Sequence, residues 1–224
     1  MEIRLSCIRR VQLQFMKAFL SLFITISLIA VIQLFAGDTP ANKKQHPPVS
    51  SVRRMSINEE KMKSYAVSAK AYIRQKKYNP DFCFLIDMSL PSGQPRFFIY
   101  DLGKDSVLRS GLVAHGNCYQ EWLEGRKYSN KVGSGCTSLG RYRIGIPYTG
   151  MWGYSYKLHG LDSSNNNAFE RTVVLHSHRC VPAESTEGEI CQSNGCPTVA
   201  PEFLTRLKPL INGSGKPVLL WIYE

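Results

Sequence analysis

Acid is what this chain has little of: 17 Asp and Glu face 28 Lys and Arg, a formal net charge of +11. The excess is not confined to the start, because the first 37 residues hold only Arg4, Arg9, Arg10 and Lys17 against Glu2. A basic surface of this kind suits an anionic polymer, or is a plain solvated face. There is no zinc-finger spacing, no RNP-like aromatic motif and no long basic run, which excludes a dedicated nucleic-acid domain. Internal repeats and low-complexity tracts are also missing, so repeat architectures are excluded. The 224 residues suffice for one domain with a substantial core and are too few for two comfortable ones.

Long hydrophobic runs are equally scarce, with one exception. Ala18 to Gly37 is twenty residues without a charge, dominated by Leu, Ile, Phe and Val. As a helix it spans about 30 Å, the thickness of a bilayer's hydrocarbon layer. The basic stretch ending at Lys17 sets the N-terminus in the cytoplasm and all that follows outside. Residues 1–37 therefore read as an export signal or membrane anchor, with the chain held at the inner membrane and exported to the cell envelope or periplasm. Bulky Leu34 and Phe35 beside Ala36 and Gly37 favour the uncleaved anchor, and a cleaved signal stays open. Outside the cytoplasm, cysteines pair or need a reason to stay free. Six follow the apolar run: Cys83, Cys118, Cys136, Cys180, Cys191 and Cys196.

Residues 38–56 hold three prolines and no apolar pattern, and read as a linker. Residues 57–81 read as a helix packing on the domain, with Asn58 as N-cap, Glu59 and Glu60 in the first turn and Lys76 and Lys77 in the last. Its apolar face is Met62, Tyr65, Ala66, Ala69, Tyr72 and Ile73. From residue 82 the pattern becomes short β-like runs: Phe82 to Met88, Arg96 to Asp101, Val107 to His115, Ser138 to Ile144, Tyr154 to His159, Thr172 to His176 and Val218 to Tyr223. Helical signal returns only at Asn167 to Arg171 and at Pro201 to Leu210, the latter with Pro at an N1-like position. The expected fold of residues 82–224 is mostly β with a few helices, a β-sandwich or partly open barrel of mixed sheets.

Two stretches carry chemistry. Thr172 to His176 is a buried-looking strand ending in a histidine, and twenty residues later comes Ser193-Asn194-Gly195-Cys196-Pro197. A thiol is a strong nucleophile as the thiolate, and an imidazole can take its proton. Gly195 lets the backbone turn tightly and aim N–H groups at a developing oxyanion. From the residues alone, a core histidine plus half of a disulfide is the commoner description. A third is a zinc set: His176, His178 and Cys180 alternate, and Cys191 or Cys196 completes four ligands. That set makes an exported zinc-stabilised binding module with no turnover. Cys180 and Cys191 enclose ten residues with little apolar material, a segment expected to be floppy. They form a disulfide or are two small buried residues; Cys118 and Cys136 are a second candidate pair, with Cys83 left over.

The order of these stretches carries more than any one of them. His115-Gly116, Ser129 to Gly135, Thr137 to Gly140, Lys157 to Asp162, Asn167 to Arg171 with the His176 strand, and Ser193-x-Gly-Cys-Pro together resemble the catalytic domain of murein L,D-transpeptidases. The likeness covers roughly residues 82–224, in the branch whose cysteine precedes Pro. It implies Cys196 as nucleophile and His176 as general base, with the Ser177 backbone carbonyl orienting the ring. Ser193, Asn194 and Gly195 then shape the substrate side and the oxyanion hole with the Cys196 N–H. His159 and Gly160 fall where other branches carry a His-Gly, as a substrate-facing or a structural pair. The family reaction cleaves a peptidoglycan stem peptide before its terminal D-Ala and passes the acyl group to another stem's amine or to water. No metal and no organic cofactor are implied. The chain departs from the family at Asn194, at His159, and in the segment 178–192 that adds two cysteines between base and nucleophile. Nothing in the sequence sets the oligomeric state.

Overall fold

The computed structural model describes residues 49–224, so the apolar run Ala18 to Gly37 and the linker before Val49 lie outside the described residues. Among the described residues no helix is long and apolar enough to cross a membrane. Helix α1 spans Val49–Lys76 and begins nine residues before Asn58, which is therefore interior and not a cap. Residues 49–56, the last eight expected as linker, are helical, and the rest of that stretch lies outside the described residues. Nothing between Val49 and Asn58 breaks a helix, and an interior Asn costs well under ~1 kcal/mol. The expected apolar face docks as read. Ala66, Ala69 and Ile73 are buried against Cys83, Leu85, Tyr100 and Leu219, and Tyr65 stacks on Tyr223 at 3.7 Å. Lys77, at φ 58°, ends the helix, and the Tyr78 N–H returns to the Ile73 carbonyl.

The strands are β1 Phe82–Asp87, β2 Phe97–Asp101, β3 Ser106–Gly111, β4 Val113–Ala114, β5 Gly140–Gly150, β6 Gly153–Gly160, β7 Val174–Ser177, β8 Thr198–Val199 and β9 Leu219–Tyr223. They form one mixed sheet in the order β3-β2-β1-β9-β5-β6-β7-β8-β4. Its two edge strands, β3 and β4, are consecutive in sequence and separated only by Leu112. The chain turns one corner there and passes from one edge to the other, which makes the sheet nearly closed. The run Val107 to His115, expected as one strand, is thus two strands meeting at that corner.

The central parallel pair β1–β9 is covered on both faces, so it reads as nearly continuous hydrophobic sequence. Alternation still sorts its side chains. Phe84, Ile86, Leu220 and Ile222 enter the main core, while Cys83, Leu85, Leu219 and Tyr223 meet α1. Helix α2, Pro201–Asn212, starts with Pro201 as expected and buries Phe203, Leu204 and Leu207 in the main core. Asn167 to Arg171, expected as a helix, is a series of turns. Asn165 Oδ1 accepts the Asp162 N–H at 2.9 Å, a local bond that competes with helix, while the Asn165 and Asn167 amides tie the segment to the distant Arg141 and Asn130 carbonyls. The two-residue β8 is too short to show as a pattern.

Gly111 marks the corner. A Cβ added there would lie 2.7 Å from the Phe203 ring of α2. Phe203 is itself fixed edge-on to Phe97 at 5.2 Å. Gly111→Ala should destabilise the domain by about 1–3 kcal/mol through overpacking, read as a lower midpoint in urea unfolding.

Candidate active site

The site begins with a buried guanidinium. The Arg96 N–H bonds the Gly111 carbonyl at 3.1 Å, and its side chain donates to Val113 O at 3.0 and 2.7 Å, so it brackets the corner. The same side chain reaches Leu90 O at 3.1 Å and His115 Nδ1 at 3.0 Å. Because guanidinium only donates, His115 Nδ1 accepts and its proton sits on Nε2. Burial first, then the Arg96 and Arg126 charges, push the His115 pKa down to about 4. Burial also lowers Arg96 to about 10, which leaves it protonated at neutral pH. His115 next holds the Ser193–Cys196 turn, since its carbonyl accepts the Ser193 N–H at 2.8 Å.

That turn is fixed from three sides. Ser193 Oγ donates to Cys196 O at 2.7 Å and accepts the Gly195 N–H at 3.2 Å. Gly195 has φ +108°, and a Cβ on it would lie 2.8 Å from the Cys136 carbonyl, so both conformation and space require glycine. The Arg171 guanidinium donates to that same Cys136 carbonyl, and to Ser129 O at 2.8 Å and Ser138 Oγ at 3.0 Å. The next residue, Thr172, is β-branched yet held at φ 54°, a strained conformation of the kind found where a site dictates the backbone.

Strand pairing sets where these side chains stand. In the parallel β7–β8 pair His176 stands opposite Thr198. Cys196 precedes β8, in the bend that carries Gly195. Its sulfur accepts the Val174 N–H at 3.5 Å, and its thiol points to Thr172 O at 4.0 Å. His176 Nδ1 lies 3.2 Å from the Ser177 carbonyl and Nε2 lies 3.0 Å from Thr198 Oγ1. Trp152, at the tip of the β5–β6 hairpin, stacks on the imidazole at 5.3 Å. Burial raises the Cys196 pKa, partly countered by the Val174 N–H and the Arg171 charge. Burial lowers His176, with the Ser177 carbonyl acting the other way and His178 adding to the fall. The resting pair is therefore neutral thiol and neutral imidazole.

Cys196, His176, Ser193 and Asn194 line one cleft of about 450 Å³, together with Tyr119 and Trp152. Among the described residues lining it Arg171 is the lone guanidinium and no carboxylate is present. Ser177 does not line this cleft and meets the ring through its carbonyl. His159 and Gly160 are not brought to it, which corrects their reading as substrate-facing. His159 stacks on Phe169 at 5.0 Å, and a Cβ on Gly160 would collide with the Asn165 backbone, so both serve the packing of β6. The zinc set is also corrected: Cys180 and Cys191 are joined to each other, and Cys118 to Cys136. Disulfide sulfurs are not thiolate ligands, and no metal-holding group occurs among the described residues. Nor is the enclosed segment floppy. Val181 and Ile190 are buried in the main core, and Thr186 N bonds Gly93 O at 2.9 Å. Two apolar side chains at the ends of a polar stretch are enough to anchor it. Sequence reasoning missed Thr198 and Trp152; the Cys-x-Thr alternation was the one signal for the first, and the hairpin tip gave none for the second.

A family model described as the L,D-transpeptidase catalytic domain matches residues 54–223. No curated protein matches. Among solved structures the chain is similar to an L,D-transpeptidase from Mycobacterium smegmatis, at 10% identity and TM-score 0.39, over 64% of this chain and 59% of that one. It is similar to the helical cell shape determining protein Pgp2 from Campylobacter jejuni, at 15% identity and TM-score 0.42, over 66% of this chain and 49% of that one. An L,D-transpeptidase from Xylanimonas cellulosilytica matches at 15% identity and TM-score 0.35, over 68% of each chain. The likeness thus spans about half to three-fifths of the first two of these proteins.

His115 supplies a test of how the turn is supported. A histidine whose folded pKa is lowered from 6.5 to about 4 stabilises the fold fully above pH 6.5. That contribution disappears as pH falls toward about 4, because the unfolded chain binds the proton first. Melting temperature should therefore fall across this window in the wild type, and fall less steeply in His115→Gln.

Proposed function

The chain belongs to the L,D-transpeptidase catalytic-domain family, and on that premise we propose that its cleft performs acyl transfer on peptidoglycan stem peptides through Cys196. The observation that carries the reading is an unpaired cysteine in a cleft whose neighbouring cysteines are all paired. Among the described residues only Cys196 and the core residue Cys83 are free. Cys196 shares its cleft with an imidazole whose Nδ1 is tied to a carbonyl and whose Nε2 faces inward.

The stem peptide lies along the cleft with the carbonyl of its third residue beside Cys196. A cationic guanidinium and no carboxylate suit a substrate that ends in a carboxylate. Attack by sulfur passes the thiol proton to His176 Nε2. The carbonyl oxygen, now negative, is met by the Cys196 N–H at the Gly195 turn, where Ser193 and Asn194 shape the wall. Collapse expels the D-Ala amine, which takes the proton from His176 and leaves a thioester. A side-chain amine of a second stem resolves it into a crosslink between two third residues, or water resolves it as an L,D-carboxypeptidase. The N-terminal apolar run holds this domain at the membrane on the envelope side.

The test is full-length protein incubated with tetrapeptide muropeptides and assayed for D-Ala and product mass. Cys196→Ala should release none, and His176→Ala should be slower by ~10² to 10⁴. Release by Cys196→Ala at the wild-type rate would sink the assignment. Reactivity carries a second expectation. Since burial holds the thiol above its ordinary 9.0, alkylation of Cys196 should still be accelerating at pH 9 and show no plateau near neutrality.

A further inference from the structure

We propose that Thr198 is a positioning residue for His176, a hydroxyl switch that holds the imidazole in both of its protonation states; the inference rests on Cys196 and His176 being the reacting pair. The geometry is specific. Ser177 O can only accept, so His176 Nδ1 carries a hydrogen, and in the neutral ring Nε2 must then accept. The group 3.0 Å from Nε2 is Thr198 Oγ1, which therefore donates. The same oxygen lies 3.3 Å from the Cys196 carbonyl, a second acceptor for its one hydrogen. Thr198 is almost wholly buried, so water does not compete for that hydrogen.

When Nε2 gains the thiol proton, donor and acceptor exchange roles. The Thr198 hydrogen first turns to the Cys196 carbonyl, which frees the one Nε2 lone pair for the thiol proton, and its oxygen then accepts the new Nε2–H. No bond to carbon, oxygen or sulfur is made or broken at Thr198; one hydroxyl rotates. The new hydrogen bond is charge-assisted and stronger than the one it replaces, so the switch favours the imidazolium that forms as sulfur attacks. The strand register explains why Thr198 and not Cys196 has this place, since Thr198 is directly opposite His176 in the parallel pair. Other groups facing the ring are few. Trp152 covers one side, Arg171 is the guanidinium and His178 the second imidazole in the cleft, Cys196 is the acid, and Glu202 at the start of α2 is exposed to solvent.

The sign of one pKa change separates this switch from a merely structural hydrogen bond. A hydroxyl that only donated would stabilise neutral imidazole, and its loss would raise the His176 pKa. A hydroxyl that switches stabilises the imidazolium more, and its loss lowers that pKa. The measurement is NMR titration of full-length, histidine-labelled protein in detergent, for wild type, Thr198→Val and Thr198→Ser, with D-Ala release assayed alongside. Val keeps the volume of the buried side chain, and Ser restores the hydroxyl. The expected result is a lower His176 pKa in Thr198→Val, wild-type behaviour in Thr198→Ser, and a kcat for Thr198→Val down roughly ten- to a hundredfold with KM little changed. An unchanged or raised pKa in Thr198→Val, or no rescue by Ser, overturns the proposal. A wild type that titrates as expected and releases no D-Ala overturns the reaction assigned to the cleft and supports the switch.

Discussion

One buried guanidinium ties the sheet's closure to its cleft. Arg96 stands at the start of β2, yet its N–H, its side chain and its aromatic neighbour reach the corner, the loop before β2 and the back of the Ser193–Cys196 turn. A charged group with no carboxylate partner is costly to bury, and here four donor contacts to carbonyl and imidazole acceptors compensate it. Each buried acceptor it satisfies would cost about 1–3 kcal/mol if orphaned. Closure of the sheet and support of Ser193 are consequently one structural requirement and not two.

The cleft is built in the same economical manner. One parallel pairing, β7 with β8, sets His176 opposite Thr198, and the bend before β8 presents Cys196 to the same cleft. What the loops add is confinement. Arg171 and Cys136 press on Gly195 from one side, and Trp152 covers the imidazole from the other.

Much of this was legible. The alternating runs, the start of α2 and the docking face of α1 are local patterns, and local patterns survive folding when one face is buried. His176 and Cys196 were legible as a candidate pair from residue type and spacing, whereas the carbonyl role of Ser177 was implied only by the family resemblance. The rest depended on pairings between distant segments. The two-residue β8, the one-residue corner at Leu112 and the order of nine strands leave no period to detect. His159 looked like a site residue because its neighbour is glycine, yet that glycine exists to admit the Asn165 backbone. The 180–191 segment looked disordered by composition, although two buried side chains and a disulfide suffice to fix it.

The cysteine arrangement gives the domain a practical property. Four of its thiols are consumed in two bridges, and Cys83 is sealed between α1 and the sheet with its ionisation pushed up to about 12. Among the described residues, then, one thiol alone is both reduced and reachable. Within them a maleimide dye has a single address, in the cleft that Trp152 also lines. Occupancy of the cleft becomes an optical signal without any engineered residue.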